Sequence, residues 1–399
     1  MKHKIFVVGL EIVEHPSYDL YGYKDKNLLQ EETPNKKMIM YMSSWYFYNI
    51  YCKRHKEDDL EYLKKFYQNK NLFLLLDLGD ELCQFVNTLK NFANPITIII
   101  NQTKFKDKAF KAIYPHVGKI FRINALGKKV YNANKPLFTF MKKSKFATLV
   151  DNKQLLQKKA CFYMGQTRLD RMIVYYYLHN TKLQNECFIS FLYPETEHLD
   201  EVLDKKLSPY EPLCDNELFF NKFKVYGMIK NDNKVLDTQV YNGHHHYITT
   251  AHALNSYFSI VIETDMSMYR LEDGMEYNMF ATTFLTEKTF KVFPMMHFFI
   301  IFGLPGTIAT LRDQGYDVFD DIINHDYDNN YDPAERLIRF IAEVDRLLNI
   351  SKEEWHEIAY RNASRLYRNL ACFSTWFTDH PGGTYSKTCN EMDEYLRGI

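Results

Sequence analysis

Several features are missing from this sequence of 399 residues, and each absence narrows what the chain can be. The seven cysteines, at positions 52, 83, 161, 187, 214, 372 and 389, form no C-x-x-C pair. Their odd number and scatter argue against a disulfide framework and against zinc-ligand spacing, and point to a reducing compartment. Long apolar runs are also absent. The opening run Ile5 to Leu10 is too short for the core of a secretory signal, and the most apolar later stretch, Val292 to Leu304, contains Pro294 and His297 and falls short of a membrane span. A cytoplasmic location without a membrane span is the expectation. No glycine-rich phosphate loop is present either, since "GLPG" (303–306) is not followed by Gly-Lys-Ser. "HDYDNNYD" (325–332) lacks the glycine and closing glutamate of an EF-hand, and the consecutive residues His244 to His246 diverge on a strand. No metal site is expected.

Hydrophobic residues make up 46% of the chain, with 30 Tyr and 30 Phe, which is material for packed cores rather than disorder. The length exceeds what one core usually holds, so two domains are expected. Formal net charge is zero, yet the zero hides a division. Residues 1–160 carry 28 Lys and Arg against 15 Asp and Glu, whereas residues 161–399 carry 22 against 35. Within the first part, 90–160 holds 16 bases and only two acids, Asp107 and Asp151, with Phe and Tyr interleaved, as in "KPLFTFMKKSKF". A basic surface laced with aromatics is the electrostatic footprint of polyanion binding, nucleic acid above all, while a solvated lysine face is the bland alternative. Lys142, Lys143 and Lys145 are the residues this reading places on the acceptor.

Periodicity alternates between strand and helix. "KIFVVGLEI" (4–12), "KNLFLLLDLGDEL" (70–82) and "NPITIIINQ" (94–102) read as buried parallel strands, with helical material such as "DDLEYLKKFYQ" (58–68) between them. After about residue 157 the pattern restarts with "KKACFYMG", the helical "TRLDRMIVYYYLHNTKL" and "ECFISFLY", so a second α/β domain is expected, giving domains 1–155 and 156–399. Val292 to Leu304 reads as a buried strand with its flanks. Two later helices carry explicit start signals: Asp332 before Pro333 with Glu335 three residues on, and Ser351 three residues before Glu354.

One stretch resists a purely structural reading. In "FLTEKTFKVFPMMHFFIIFGLPG" (284–306) an acid and a base, Glu287 and Lys288, stand side by side where a buried element begins. A solvated helix start accounts for them, with Glu complementing the helix dipole and Lys covering apolar surface with its stem. A ligand site at the carboxyl edge of a sheet accounts for them equally.

The order strand-Glu263-Thr264, then Thr286-Glu287-Lys288-Thr289-Phe290-Lys291, then strand-Gly-x-Pro-Gly, then "LRDQGY", then "DNNYD" resembles the C-terminal half of a group of phage and giant-virus glycosyltransferases. That group is in turn similar to the nucleotide-sugar domain of fucosyltransferases. "CFYMGQTRLDRMIVYYYL" (161–178) is similar to the family's strand, arginine loop and helix. The resemblance covers roughly 158–370, and this chain departs from it at Val292 and at Gly165 to Thr167. It implies an α/β, GT-B-like fold of two facing Rossmann-like domains with a helical C-terminal region: residues 1–155 binding the acceptor and 156–399 binding a nucleotide-diphosphate sugar as donor substrate.

On that resemblance Arg168, Arg171 and Lys288 are expected to hold the diphosphate, whose charge grows as the glycosidic bond breaks. Glu287 is expected to accept from ribose hydroxyls, as an acid does in other nucleotide sites, and Glu263, Thr264 and Thr286 to line the pocket. The expected activity is an inverting, metal-independent glycosyl transfer with no tightly bound cofactor. Asp77, Asp80 and Glu81, at the end of "LFLLLDL", are the candidate bases for the acceptor hydroxyl. A viral chain would work in the host cytoplasm, and its acceptor is expected to be a hydroxymethylated pyrimidine in double-stranded phage DNA. The alternatives are a glycan or surface polysaccharide acceptor, or a nucleotide-sugar-binding module without catalysis.

Overall fold

The computed structural model describes residues 4–7, 38–43, 72–77, 93–100, 104–105, 111, 115–122, 125–151, 155–164, 168–190, 210–214, 216–219, 221, 228, 247–263, 281–283, 285–378 and 383–398. The apolar runs of the first third are strands: β1 (Lys4–Val7), β2 (Met38–Ser43), β3 (Leu72–Asp77), β4 (Ile96–Ile100) and β5 (Val117–Arg122). They form one parallel sheet in the order β1-β2-β3-β4-β5. Each strand is added on the same side of the last, so this sheet has no reversal of strand order among the described residues. The expected helix at 58–68 lies outside them.

Two helices follow, α1 (Ala125–Asn134) and α2 (Phe138–Phe146). Next come β6 (Ala160–Tyr163), α3 (Leu169–Asn180), β7 (Cys187–Ser190), α4 (Thr250–Leu254), β8 (Phe258–Ile262), α5 (Glu287–Met295), β9 (Phe298–Phe302) and α6 (Thr307–Asp313). The chain then runs through α7 (Pro333–Asn349), α8 (Lys352–Arg361), α9 (Ala363–Phe377) and α10 (Thr384–Gly398). Strands β6 to β9 make a second parallel sheet in the order β9-β8-β6-β7. Here the order does reverse: β7 is laid on one side of β6, and β8 on the other. The crevice outside the carboxyl ends of β6 and β8 is the topological switch point, where open α/β sheets accept ligands.

Every residue of β8 and β9 is buried, as both faces of a covered parallel sheet require. Trp355 of α8 anchors that core. Its ring stacks on Phe258 at 4.9 Å, and its indole N–H donates to the Leu347 carbonyl at 2.9 Å, so a fully buried Trp leaves no polar atom unsatisfied. Both start signals hold: the Asp332 carboxylate accepts from the Glu335 N–H at 2.8 Å and the Ser351 hydroxyl from the Glu354 N–H at 3.0 Å.

Val292 to Leu304, expected as one strand and its flanks, is instead the end of a helix and a strand. α5 continues to Met295, Met296 takes the left-handed conformation at φ 52, and β9 starts at Phe298. Phe290 and Phe293, three apart on one helix face, pack on Phe373 of α9 at 6.1 and 5.7 Å, which decides a run whose length alone suits either element.

The chain forms two compact units: 1–125 with 268–282 and 378–399, and 126–267 with 283–377. The expected division near 155 therefore falls inside the second unit. Helices α1 and α2 carry Val130, Tyr131 and Met141 into its core, with Tyr131 and Phe138 edge-on to Phe373 at 6.1 and 6.2 Å. Gly127 lets α1 approach closely, because a Cβ there would collide with the Phe377 ring. The first unit recovers the end of the chain. α10 packs against β5, where Tyr395 meets the Phe121 ring edge-on at 5.5 Å and accepts from the Thr97 hydroxyl at 3.4 Å.

Candidate functional site

The loop leaving β6 enters α3, whose first turn carries Asp170 and Arg171; Glu263 directly follows β8; and Thr286 caps α5. These groups meet at the switch point of the second sheet. Glu263 is fully buried and accepts three hydrogen bonds: from the Thr286 N–H at 2.9 Å, the Thr286 hydroxyl at 2.5 Å and the Thr289 hydroxyl at 2.5 Å. Thr286 in turn accepts from the Lys288 N–H at 3.2 Å, satisfying one of the orphan donors of the first turn. A single carboxylate thus fastens the start of α5 to the end of β8.

Arg171 does the matching work from β6's side. Its Nη2 donates to the Ile262 and Glu263 carbonyls at 3.1 Å each. Burial pulls its pKa down while the neighbouring Asp170, and behind it Glu263 and Glu287, push it up. Burial raises the Asp170 carboxyl, and Arg171 opposes that rise. A planar guanidinium suits this place because it bonds two carbonyls at once.

The partly exposed groups are Glu287 and Lys288, with side chains 18% and 13% exposed. Lys288 Nζ donates to Glu287 Oε1 at 2.9 Å and to the Thr286 hydroxyl at 3.5 Å. Burial works to raise the Glu287 carboxyl, but Lys288, its hydrogen bond and Lys291 outweigh burial and hold it at about 2. Both residues also sit where the helix dipole favours an anion. Lys291, one turn further, is buried with its ammonium 6.0 Å from the centre of the Tyr163 ring at the end of β6.

Of the residues expected at the donor, Arg171, Glu263, Thr286, Glu287 and Lys288 are brought together, and Arg168, half-buried, precedes α3 close enough to act on Asp170 and Arg171. Glu263 faces protein on all sides rather than a pocket lumen, since its oxygens serve Thr286 and Thr289. Thr264 lies outside the described residues. Asp170, Thr289, Lys291 and Tyr163 were not singled out from the sequence. Two of them had a readable signal: Thr289 repeats Thr286, and Lys291 repeats Lys288, at a spacing of three that puts each pair on one side of a helix.

The other expected sites fare differently. Asp77 ends β3, paired through its backbone with Ser43 and Ile99, and only its backbone is described; Asp80 and Glu81 lie outside the described residues, as do His244 to His246. The first sheet's order does not reverse at β3, so the topological reason for a ligand there is missing. Lys142 and Lys143 are exposed on α2, but Lys145 is only 1% exposed and cannot meet a polyanion. Its Nζ donates to the Ala253 and Ser256 carbonyls at 2.6 and 2.5 Å, closing the carboxyl end of α4. Amphipathic geometry explains the miss: Met141 and Lys145, four apart, share the inward face of α2.

A cleft of about 450 Å³ lies away from α5, between α6 and the 318–329 loop. Its arginines are already paired, Arg312 with Asp320 at 2.7 Å and Arg346 with Glu343 at 2.6 Å. Asp328 on its wall accepts from the Ile308 N–H at 2.9 Å and so caps α6. Among the described residues no group of three or more His, Cys, Asp or Glu is placed to hold a metal ion, and no helix is long and apolar enough to cross a membrane.

No family model, no characterised protein and no solved structure matches this chain.

Proposed function

We propose that the chain is a nucleotide-sugar-dependent glycosyltransferase whose second unit binds the donor's diphosphate at the start of α5. The observation that carries this reading is the Glu263–Thr286–Thr289 knot, which holds the Glu287–Lys288 pair at the one switch point among the described sheets. Lys288 then turns from Glu287 to the diphosphate, and Glu287 accepts from the ribose hydroxyls. Arg168 adds a second cation, while Arg171 positions the floor of the site. As the leaving group departs with growing negative charge, Lys288 and the first-turn amides of α5 stabilise it without a metal.

The GT-B-like pairing of the two units, an inverting displacement and a base from Asp77, Asp80 or Glu81 belong to the same proposal. The acceptor it names is a hydroxymethylated pyrimidine in DNA, supported by the scarcity of acids in 90–160. A panel of nucleotide sugars screened by thermal shift tests the donor, since a ligand that binds only the folded state raises the melting point. Lys288→Ala is expected to lower turnover by about two orders of magnitude, the usual effect of removing a charge that stabilises a leaving group. Near-normal kinetics in folded Lys288→Ala protein would remove this pocket from the reading.

A further inference from the structure

Helices α1, α2 and α9 carry seven basic residues and no acid: Lys128, Lys129, Lys142, Lys143, Lys145, Arg365 and Arg368. Three of the seven are turned to structural use. Lys128 donates to the Phe377 carbonyl at 2.6 Å, Lys145 closes α4, and Arg365 is clamped by Asp317 and Asp321. Lys142, Lys143 and Arg368 remain exposed. Among them Tyr367 is left 38% exposed. The Lys142 ammonium lies over the Tyr367 ring, 4.0 Å from its centre, and joins α2 to α9 across the surface.

A cation held over an exposed ring offers a phosphate contact that, once made, uncovers a stacking surface beside it. Bases inside a duplex stack on each other and present only their edges. An unpaired base presents its face. We infer that the α2–α9 face binds single-stranded nucleic acid, with Lys142, Lys143 and Arg368 on phosphates and Tyr367 under an unpaired base. The inference rests on the nucleic-acid half of the proposed function and is independent of the donor site. It replaces a duplex tract with an opened strand as the species held, keeps Lys142 and Lys143 as contacts and adds Arg368 and Tyr367 of α9 to them.

The test uses the full chain, a fluorescent 20-nucleotide strand of mixed sequence, the same strand as a duplex, and anisotropy across a salt series. The strand is expected to bind at least tenfold more tightly than the duplex. Tyr367→Ala is expected to weaken strand binding by about tenfold, and Lys142→Glu with Lys143→Glu to reduce the dependence on salt by about 0.7 per lost phosphate contact. Melting temperature and nucleotide-sugar affinity, measured in parallel, should stay at wild-type values. Equal binding of strand and duplex, or indifference of strand binding to Tyr367→Ala, would overturn the inference. So would capture of neither nucleic acid, even if donor binding succeeds; failure of donor binding alone sinks the transferase reading and leaves this one standing.

Discussion

Two side chains in the second unit, one a base and one an acid, make stability rise with pH in separate windows. Burial lowers the Lys145 amine from its ordinary 10.5 to about 7, with Cys161 opposing weakly. Burial, and next the neighbouring Lys145, keep His297 well below its usual value, so the imidazole bonding Ser259 and the Ala253 carbonyl is neutral. Below pH 7 the fold must carry a buried ammonium. Between about 7 and 10.5 the folded chain sheds that proton while the unfolded chain keeps it, so stability rises with pH across the window. Glu287 acts in the same direction in the acid range: held at about 2, it contributes stability above the ordinary carboxylate value of 4.5 that is lost as the pH falls toward 2. Unfolding free energies of the wild type and Lys145→Met across the alkaline window should show a positive slope in the first and a flatter one in the second. Parallel slopes would show that Lys145 is not the titrating group.

At the scale of elements, α5 depends on one carboxylate. Glu263→Ala leaves the Thr286 and Thr289 hydroxyls and the Thr286 N–H without their acceptor, which costs about 3 kcal/mol for buried donors left unsatisfied. Amide exchange should accelerate in the first turn of α5 while β8 and β9 keep their protection; unchanged exchange at Lys288 and Thr289 would refute the role. Much of this element was legible beforehand. The charged pair was compatible with a helix start, and Asp332 and Ser351 marked theirs outright, because caps depend on residues a few positions apart. What could not be read was the partner 23 residues away. Lys145 shows the same limit: its sequence neighbours are lysines on a solvated face, and only the packing of α2 on α4 turns it inward. The extent of α5 was misread because an apolar run carries no sign of the αL turn at Met296. Strand order escapes the sequence altogether, so the contrast between a sheet that reverses and one that does not appears only in three dimensions.

Across the whole molecule, the two units differ in what a donor should do to them. A nucleotide sugar at a hundredfold excess over its Kd stabilises the folded state by about 2.7 kcal/mol. Hydrogen exchange should record that gain in α3, α5 and the end of β8, with β1 to β5 unchanged. Protection appearing in the first sheet alone would place the donor elsewhere. Charge follows the division only loosely, because the basic helices α1 and α2 belong to the unit that the sequence count marked as acidic.

The return of α10 to β5 also sets an order of events during synthesis. Tyr395 is made 298 residues after Thr97, its partner in the first sheet. Strands β4 and β5 leave the ribosome long before the helix that covers them exists, and the whole of the second unit emerges in the interval. The unit that begins first is therefore finished last. Until translation reaches the final helix, Phe121 and Thr97 lack the Tyr395 ring and hydroxyl they pack against, while the second unit already has every segment it needs to fold.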